Sequence, residues 1–101
     1  MKRVMVKKKP PPRDEAVALR YRSGKESAPR VVAKGKGLAA QKIKEIAAQN
    51  GIPIHRDDEL VELLAQIDID QEIPPELYAA VAEVLSWIYR ANKQLHKESD
   101  T

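Results

Sequence analysis

No cysteine occurs in this 101-residue chain, which excludes a disulfide framework, a thiolate metal site and a cysteine nucleophile. A secreted domain of this size usually needs such staples, so the expected compartment is reducing and cytoplasmic. Phenylalanine is also missing, and the aromatics are one Trp and three Tyr, so a core must be assembled from Ile, Val, Leu and Ala. The hydrophobic content of 43% is still ordinary for a folded domain. No run approaches the ~20 apolar residues of a membrane span, and the basic residues at the start lead into prolines instead of an apolar signal core. No export or anchoring segment is therefore expected. The length allows one modest core, hence one domain with tails.

Chemistry is equally sparse. The two histidines, His55 and His96, are isolated from each other and from ligand-spaced partners. Ser23, Ser27, Ser86 and Ser99 lack the GxSxG setting of an activated serine. Gly35-Lys36-Gly37 precedes a helical pattern but has neither the long glycine loop nor the Lys-Ser/Thr pair of a phosphate cradle, so it reads as a strand-to-helix turn. Asp57, Asp58 and Glu59 read as helix-start residues rather than general acids. Trp87 and Tyr89 are assigned to packing with a wet edge. No catalytic residue, metal or cofactor is expected.

What the chain does have is charge, unevenly placed. Residues 1–56 hold 15 Lys/Arg against 4 Asp/Glu (+11), and residues 57–101 hold 3 against 11 (−8). Such halves attract each other within one fold, and they also steer a charged partner at low salt. Residues 1–15, with six basic side chains and Pro10-Pro11-Pro12, read as a flexible basic Pro-rich arm. Val4-Met5-Val6 offers at most a short edge strand. A nucleic-acid partner is not expected, because no aromatic-bearing basic strand, zinc finger or RGG repeat accompanies the charge. The alternative function carried by the arm is binding to nucleic acid or an anionic membrane surface.

Residues 16–21 (AVALRY) and 30–34 (RVVAK) are β-favouring runs separated by a loop containing Gly24 and Pro29, and they predict neighbouring strands. The period then changes: Leu38, Ala39, Ile43, Ile46 and Ala47 define the apolar face of a helix. Asn50-Gly51 ends it, and residues 52–55 (IPIH) predict a strand, giving a β-α-β unit with a right-handed crossover. Asp57 is the candidate N-cap of a second helix that ends near Gln66, with Leu60, Val61, Leu63, Leu64 and Ile67 as its stripe. After a polar linker, Pro74-Pro75 starts a third helix carrying Leu77, Val81, Val84, Leu85 and Ile88, predicted to run to about Lys93. Residues 94–101 read as a polar tail. The fold class is α/β: a small mixed β-sheet of three to four strands covered by about three main helices.

The segments AVALRY, APRVVAKG (28–35), KIKEIA (42–47), NGIPI (50–54) and IPPELYAAVAEVLSWIYR (73–90) occur in this order. Together they resemble the cytoplasmic domain of the FlhB/YscU family, export-apparatus proteins of flagellar and injectisome type III secretion, with residues 16–93 forming the FlhB-like domain. Membrane-bound members carry a transmembrane region before this domain, and none is expected here. In the family an Asn-Pro-Thr-His motif precedes AVAL-type residues; its Asn side chain cyclises onto its own carbonyl carbon and breaks the Asn-Pro bond. The matching positions here are Pro11, Pro12, Arg13 and Asp14, of which only Pro12 agrees. Pro11 has no side-chain amide with which to attack, so self-cleavage is not expected. The resemblance also implies a shallow apolar patch that recognises early rod and hook type substrates, at Ala28, Pro29, Ala82 and Leu85. By periodicity alone, Leu85 belongs to the core stripe and Ala82 to its edge. The expected function is thus a free-standing, non-cleaving, cytoplasmic accessory protein of flagellar type III export. Its expected partners are export substrates or export-apparatus proteins, with peripheral association with the membrane apparatus.

Overall fold

Two N-terminal segments buried along most of their length, residues 2–7 and 15–21, organise the molecule around one sheet. The computed structural model describes the backbone of residues 2–7, 14–22 and 24–99, with side chains described there except at 2, 88, 89 and 91–99. Strands β1 (Lys2–Lys7), β2 (Glu15–Tyr21), β3 (Arg30–Lys36) and β4 (Ile54–Arg56) lie in the order β3-β2-β1-β4. Pairing is antiparallel for β1 with β2 and for β2 with β3, and parallel for β1 with β4, so the sheet is mixed. Helices α1 (Leu38–Gln49), α2 (Asp58–Leu64) and α3 (Tyr78–Ser99) complete the fold, and a 3-10 turn, Pro75–Leu77, leads into α3.

The strand period sends successive side chains to opposite faces. Val4, Val6, Val17, Leu19 and Val31 enter the larger cluster, where they meet Leu60, Val61 and Leu64 of α2 and Val81 and Val84 of α3. Each such burial is worth about 2 kcal/mol. Met5 and Ala16 enter a second cluster with Ala40 and Ala47 of α1. The sheet is therefore sandwiched, with α1 on one face and α2 and α3 on the other.

The small residues under α1 explain its seating. A Cβ placed on Gly35 falls 2.8 Å from the Ala39 Cβ, so the helix rides directly on the strand backbone. The buried residues of α1 are accordingly Ala40 and Ala47, while Leu38 is 82% and Ile46 48% exposed. Of the stripe expected from periodicity, Ala47 is buried and Ile43 packs partly buried against the smaller cluster, whereas Leu38, Ala39 and Ile46 are exposed and Ala40 takes a buried place beside the strand. At the other end, Gly51 has φ +66°, its N–H donates to the Ala48 carbonyl, and Ile52 N–H donates to the Ala47 carbonyl. That pair of bonds is the left-handed stop expected of Asn50-Gly51. Asp57 caps α2 as expected, accepting from Leu60 N–H at 3.0 Å.

Several expectations are corrected. β1 is no edge strand: β2 flanks it on one side and β4 on the other, and Val4, Met5 and Val6 are at most 1% exposed. The flexible-arm reading accordingly fails over Lys2–Lys7, and also over Asp14 and Glu15, which are buried; residues 8–13 lie outside the described residues. An interior strand buried on both faces reads as a continuous apolar run, and three residues beside lysines hide that signal. The β-α-β unit exists, but β4 pairs with β1 and not β3, so α1 crosses two intervening strands. Leu63 is 48% exposed and leaves the α2 stripe. The α3 backbone continues through the expected polar tail to Ser99.

Candidate functional site

The loop before β3 and the first turns of α3 enclose a cleft of about 200 Å³. Its lining includes Ala28 and Pro29 from the loop and Tyr78, Val81, Ala82 and Leu85 from the helix; Tyr21 and Ser27 complete the wall. All four positions singled out in the sequence, Ala28, Pro29, Ala82 and Leu85, therefore come together. Ala28 and Val81 are each 1% exposed and form the floor, whereas Ala82 and Tyr78 are exposed. Leu85 serves both roles, packing against the core while bordering the cleft.

Local hydrogen bonds hold the loop in place. Pro29 carbonyl accepts from Ile73 N–H at 2.9 Å, Val31 N–H donates to Gln71 carbonyl at 3.0 Å, and Asp70 N–H donates to Val31 carbonyl at 2.7 Å. The 70–73 segment thereby acts as an irregular strip along the outer edge of β3. Glu26 ties the loop together: it accepts from Arg22 N–H at 3.1 Å and from Arg30 Nε at 2.9 Å, and lies 3.6 Å from Arg20 Nη2. The Arg30 hydrogen bond holds the Glu26 carboxyl below its ordinary range; desolvation opposes this and Arg20 assists it. Arg30 also donates to the Asp70 carbonyl and lies 3.7 Å from Glu72, which accepts from Ser27 Oγ.

A concave apolar surface of small side chains, with hydroxyl-bearing residues on its wall, can seat a short apolar segment of a partner. Tyr21, Ser27, Tyr78 and Val81 were missed by sequence reasoning. Tyr78 alone had a usable signal, lying one helical turn before Ala82.

The other sequence candidates are dispersed. Pro11, Pro12 and Arg13 lie outside the described residues. Asp14 is buried, with its carboxylate accepting from Lys44 Nζ at 2.7 and 2.8 Å and its carbonyl accepting from Gly37 N–H at 2.8 Å. The Gly35-Lys36-Gly37 stretch is the turn from β3 into α1. His55 sits half-buried in β4, and the His96 side chain is outside the described residues. Among the described residues, no group of three or more His, Cys, Asp or Glu is placed to hold a metal, and no helix is long and apolar enough to cross a membrane. Trp87 is 69% exposed, more open than a packing role requires; Tyr89 is not described at the side-chain level.

Comparison with known proteins places this geometry in context. Residues 11–88 match the family described as the FlhB HrpN YscU SpaS Family. The chain is 44% identical over 81 residues to YlqH of Bacillus subtilis, covering 80% of this chain and 87% of that protein. It is 47% identical over 83 residues to the flagellar biosynthetic protein FlhB of Escherichia coli, covering 81% of this chain but only 22% of that protein. The crystal structure of the cytoplasmic domain of FlhB from Shewanella putrefaciens superposes with a TM-score of 0.83 at 30% identity, covering 93% of this chain and 74% of that one.

Proposed function

Because this chain belongs to the FlhB HrpN YscU SpaS family, whose members are components of type III export machinery, we propose that it is a non-cleaving accessory domain that binds export substrates or apparatus proteins on the cytoplasmic side and so modulates secretion. The observation that carries this reading is the convergence of Ala28, Pro29, Ala82 and Leu85 on one cleft, although they come from a loop and a helix far apart in the chain. The family resemblance assigns substrate recognition to those positions. Small side chains on a loop braced by Glu26 and the 70–73 segment dock an apolar peptide with little reorganisation, which lowers the entropic cost of binding. Absence of catalysis is part of the proposal: Pro11 has no nucleophilic amide, and Asp14 is committed to Lys44.

The test is capture of rod and hook type export substrates by the immobilised chain, compared with the Ala82→Glu variant and the Ala82→Glu/Leu85→Glu pair. Ala82 is exposed, so the single variant keeps the fold and isolates the cleft. A buried unpaired carboxylate costs roughly 1–3 kcal/mol, so capture should weaken about tenfold or more. Undiminished capture by a folded Ala82→Glu protein overturns the proposal.

A further inference from the structure

The two edges of the sheet are finished differently. The 70–73 strip bonds to the outer side of β3 at Val31, whereas β4 forms the opposite edge. Met5 N–H donates to the Pro53 carbonyl and Asp57 N–H to the Lys7 carbonyl, so residues 53, 55 and 57 turn their backbone groups towards β1. The N–H and C=O groups of Ile54 and Arg56 therefore point outward, and no described residue bonds to them. A bare edge this short is ordinary by itself. What distinguishes this one is the surface beside it. Side chains on β4 alternate in step with β1: Ile54 shares the face of Met5 and α1, and His55 shares that of Val6, α2 and α3. On the His55 face a cleft of about 330 Å³ opens between β4 and α3, lined in part by His55, Asp57, Glu83 and Trp87. Trp87 is 69% exposed, and the Glu83 carboxylate has no hydrogen bond or ion pair with a described residue. Asp57 caps α2 through Oδ1 alone. Alternation sends the neighbouring Arg56 to the other face, and its guanidinium lies 3.7 Å from Asp58.

We propose that the open edge of β4 takes up an extended basic segment of a partner protein as a fifth strand, its backbone bonding Ile54 and Arg56 and a lysine or arginine side chain entering the cleft over Trp87, beside Glu83. The unpaired backbone groups select an extended chain. Alternation fixes the rest, because the residue opposite His55 in such a strand sends its side chain to the cleft face. An aromatic ring flanked by carboxylates attracts a cation and disfavours an acidic side chain or a phosphate. The residues to either side fall on the face of Ile54, which is 39% exposed, so aliphatic side chains suit those positions. The site is separate from the Ala28–Ala82 cleft: it draws on Ala80, Glu83 and Trp87 of α3, and the other draws on Tyr78, Ala82 and Leu85.

The test uses the full chain and a short synthetic peptide alternating lysine with valine. The chain has one tryptophan, so its fluorescence reports the cleft, while the amide NMR signals of Ile54 and Arg56 report the edge. Saturable changes are expected in both, with slowed hydrogen exchange at those two amides. Glu83→Gln, and Trp87→Ala read through the amides, should each weaken binding about fivefold, the scale of a partly exposed ion pair or cation–π contact. Replacing the peptide's lysines by glutamine should weaken it at least as much. N-methylating the peptide backbone keeps the charges but removes the strand donors, and should abolish the exchange protection. Glu83 and Trp87 are exposed, so both variants keep the fold, which a thermal melt checks. The proposal is overturned by the absence of saturable changes, by equal binding of the glutamine or N-methylated peptide, or by amide shifts centred on Ala82 and Leu85. It is equally overturned if dilution alone moves the Ile54 and Arg56 amides, which assigns the edge to a second copy, or if Lys8→Gln with Lys9→Gln reproduces the fluorescence change without peptide, which assigns the cleft to the chain's own basic residues.

Discussion

At the position where the family resemblance places the motif histidine, this chain has a carboxylate sealed against an ammonium. The Asp14 side chain is 2% and the Lys44 side chain 20% exposed, with 2.7 Å between the charges. Removing one partner of such a pair strands the other in a low-dielectric site, at a cost of about 3 kcal/mol. Lys44→Met should therefore lower the melting temperature by more than 10 °C, since each kcal/mol moves a domain of this size by roughly 4–8 °C. Asp14→Leu combined with Lys44→Met should recover most of the loss, because an apolar pair needs no charge compensation. A single variant as stable as the parent would mean that the pair is structurally idle. Pro11 carries a prediction of a different kind. The purified chain should stay at its intact mass on prolonged incubation, and a fragment ending between Pro11 and Pro12 would refute the non-cleaving assignment.

The loop before β3 and the 70–73 segment form the element on which the cleft depends, and Glu26 is its ionisable tie. Its carboxyl titrates below the ordinary value of 4.5, chiefly because the charged form accepts from Arg30. The sign follows from linkage: a lowered folded pKa adds stability above the unfolded value, and that stability is lost as pH falls through the folded one. Acidification from 4.5 downwards should loosen residues 22–31. The check is the amide NMR signals of Val31 and Ile73 followed in acid; the step should be present in the parent and absent in Glu26→Gln. Identical titrations in both proteins would remove Glu26 from this role. Helix α3 contributes through spacing, since Tyr78, Ala82 and Leu85 lie one or two turns apart and so share a side. Its neighbours Val81 and Val84 face the core. One helix thus carries core and cleft on adjoining stripes, and periodicity alone cannot divide them.

For the molecule as a whole, the central position of β1 changes what the N-terminal residues mean. Lys2–Lys7 bridges β2 and the parallel strand β4, and it supplies Val4 and Val6 to the larger core and Met5 to the smaller. Deleting residues 1–7 should therefore abolish cooperative unfolding, not merely reduce a basic tail. Calorimetry of the truncated chain provides the check, and a melt within a few degrees of the parent would contradict the sheet order. The charge asymmetry also acquires a shape. The basic half builds the sheet and α1, and the acidic half builds α2, the linker and most of the opposite layer. Arg30 with Glu72 is one direct contact between the halves. Exposed pairs of this kind are worth at most about 1 kcal/mol each, so the separation matters more for steering partners than for holding the fold.

Sequence by itself determined what depends on near neighbours. The change of period from strand to helix, the Asn50-Gly51 stop, the Asp57 cap and the lack of an amide at Pro11 need only a few adjacent residues, and resemblance added the cleft positions. The tertiary structure alone decided what depends on distant pairing: β1 between β2 and β4, Asp14 facing Lys44, Arg3 opposite Arg20, and Ala28 meeting Ala82. Local torsion and periodicity select an element, but its partners follow from which faces can be buried together. Alanine-lined α1 shows the difference, because its large aliphatics set the helical period while its small residues, and the strand glycine beneath them, set where the helix could land.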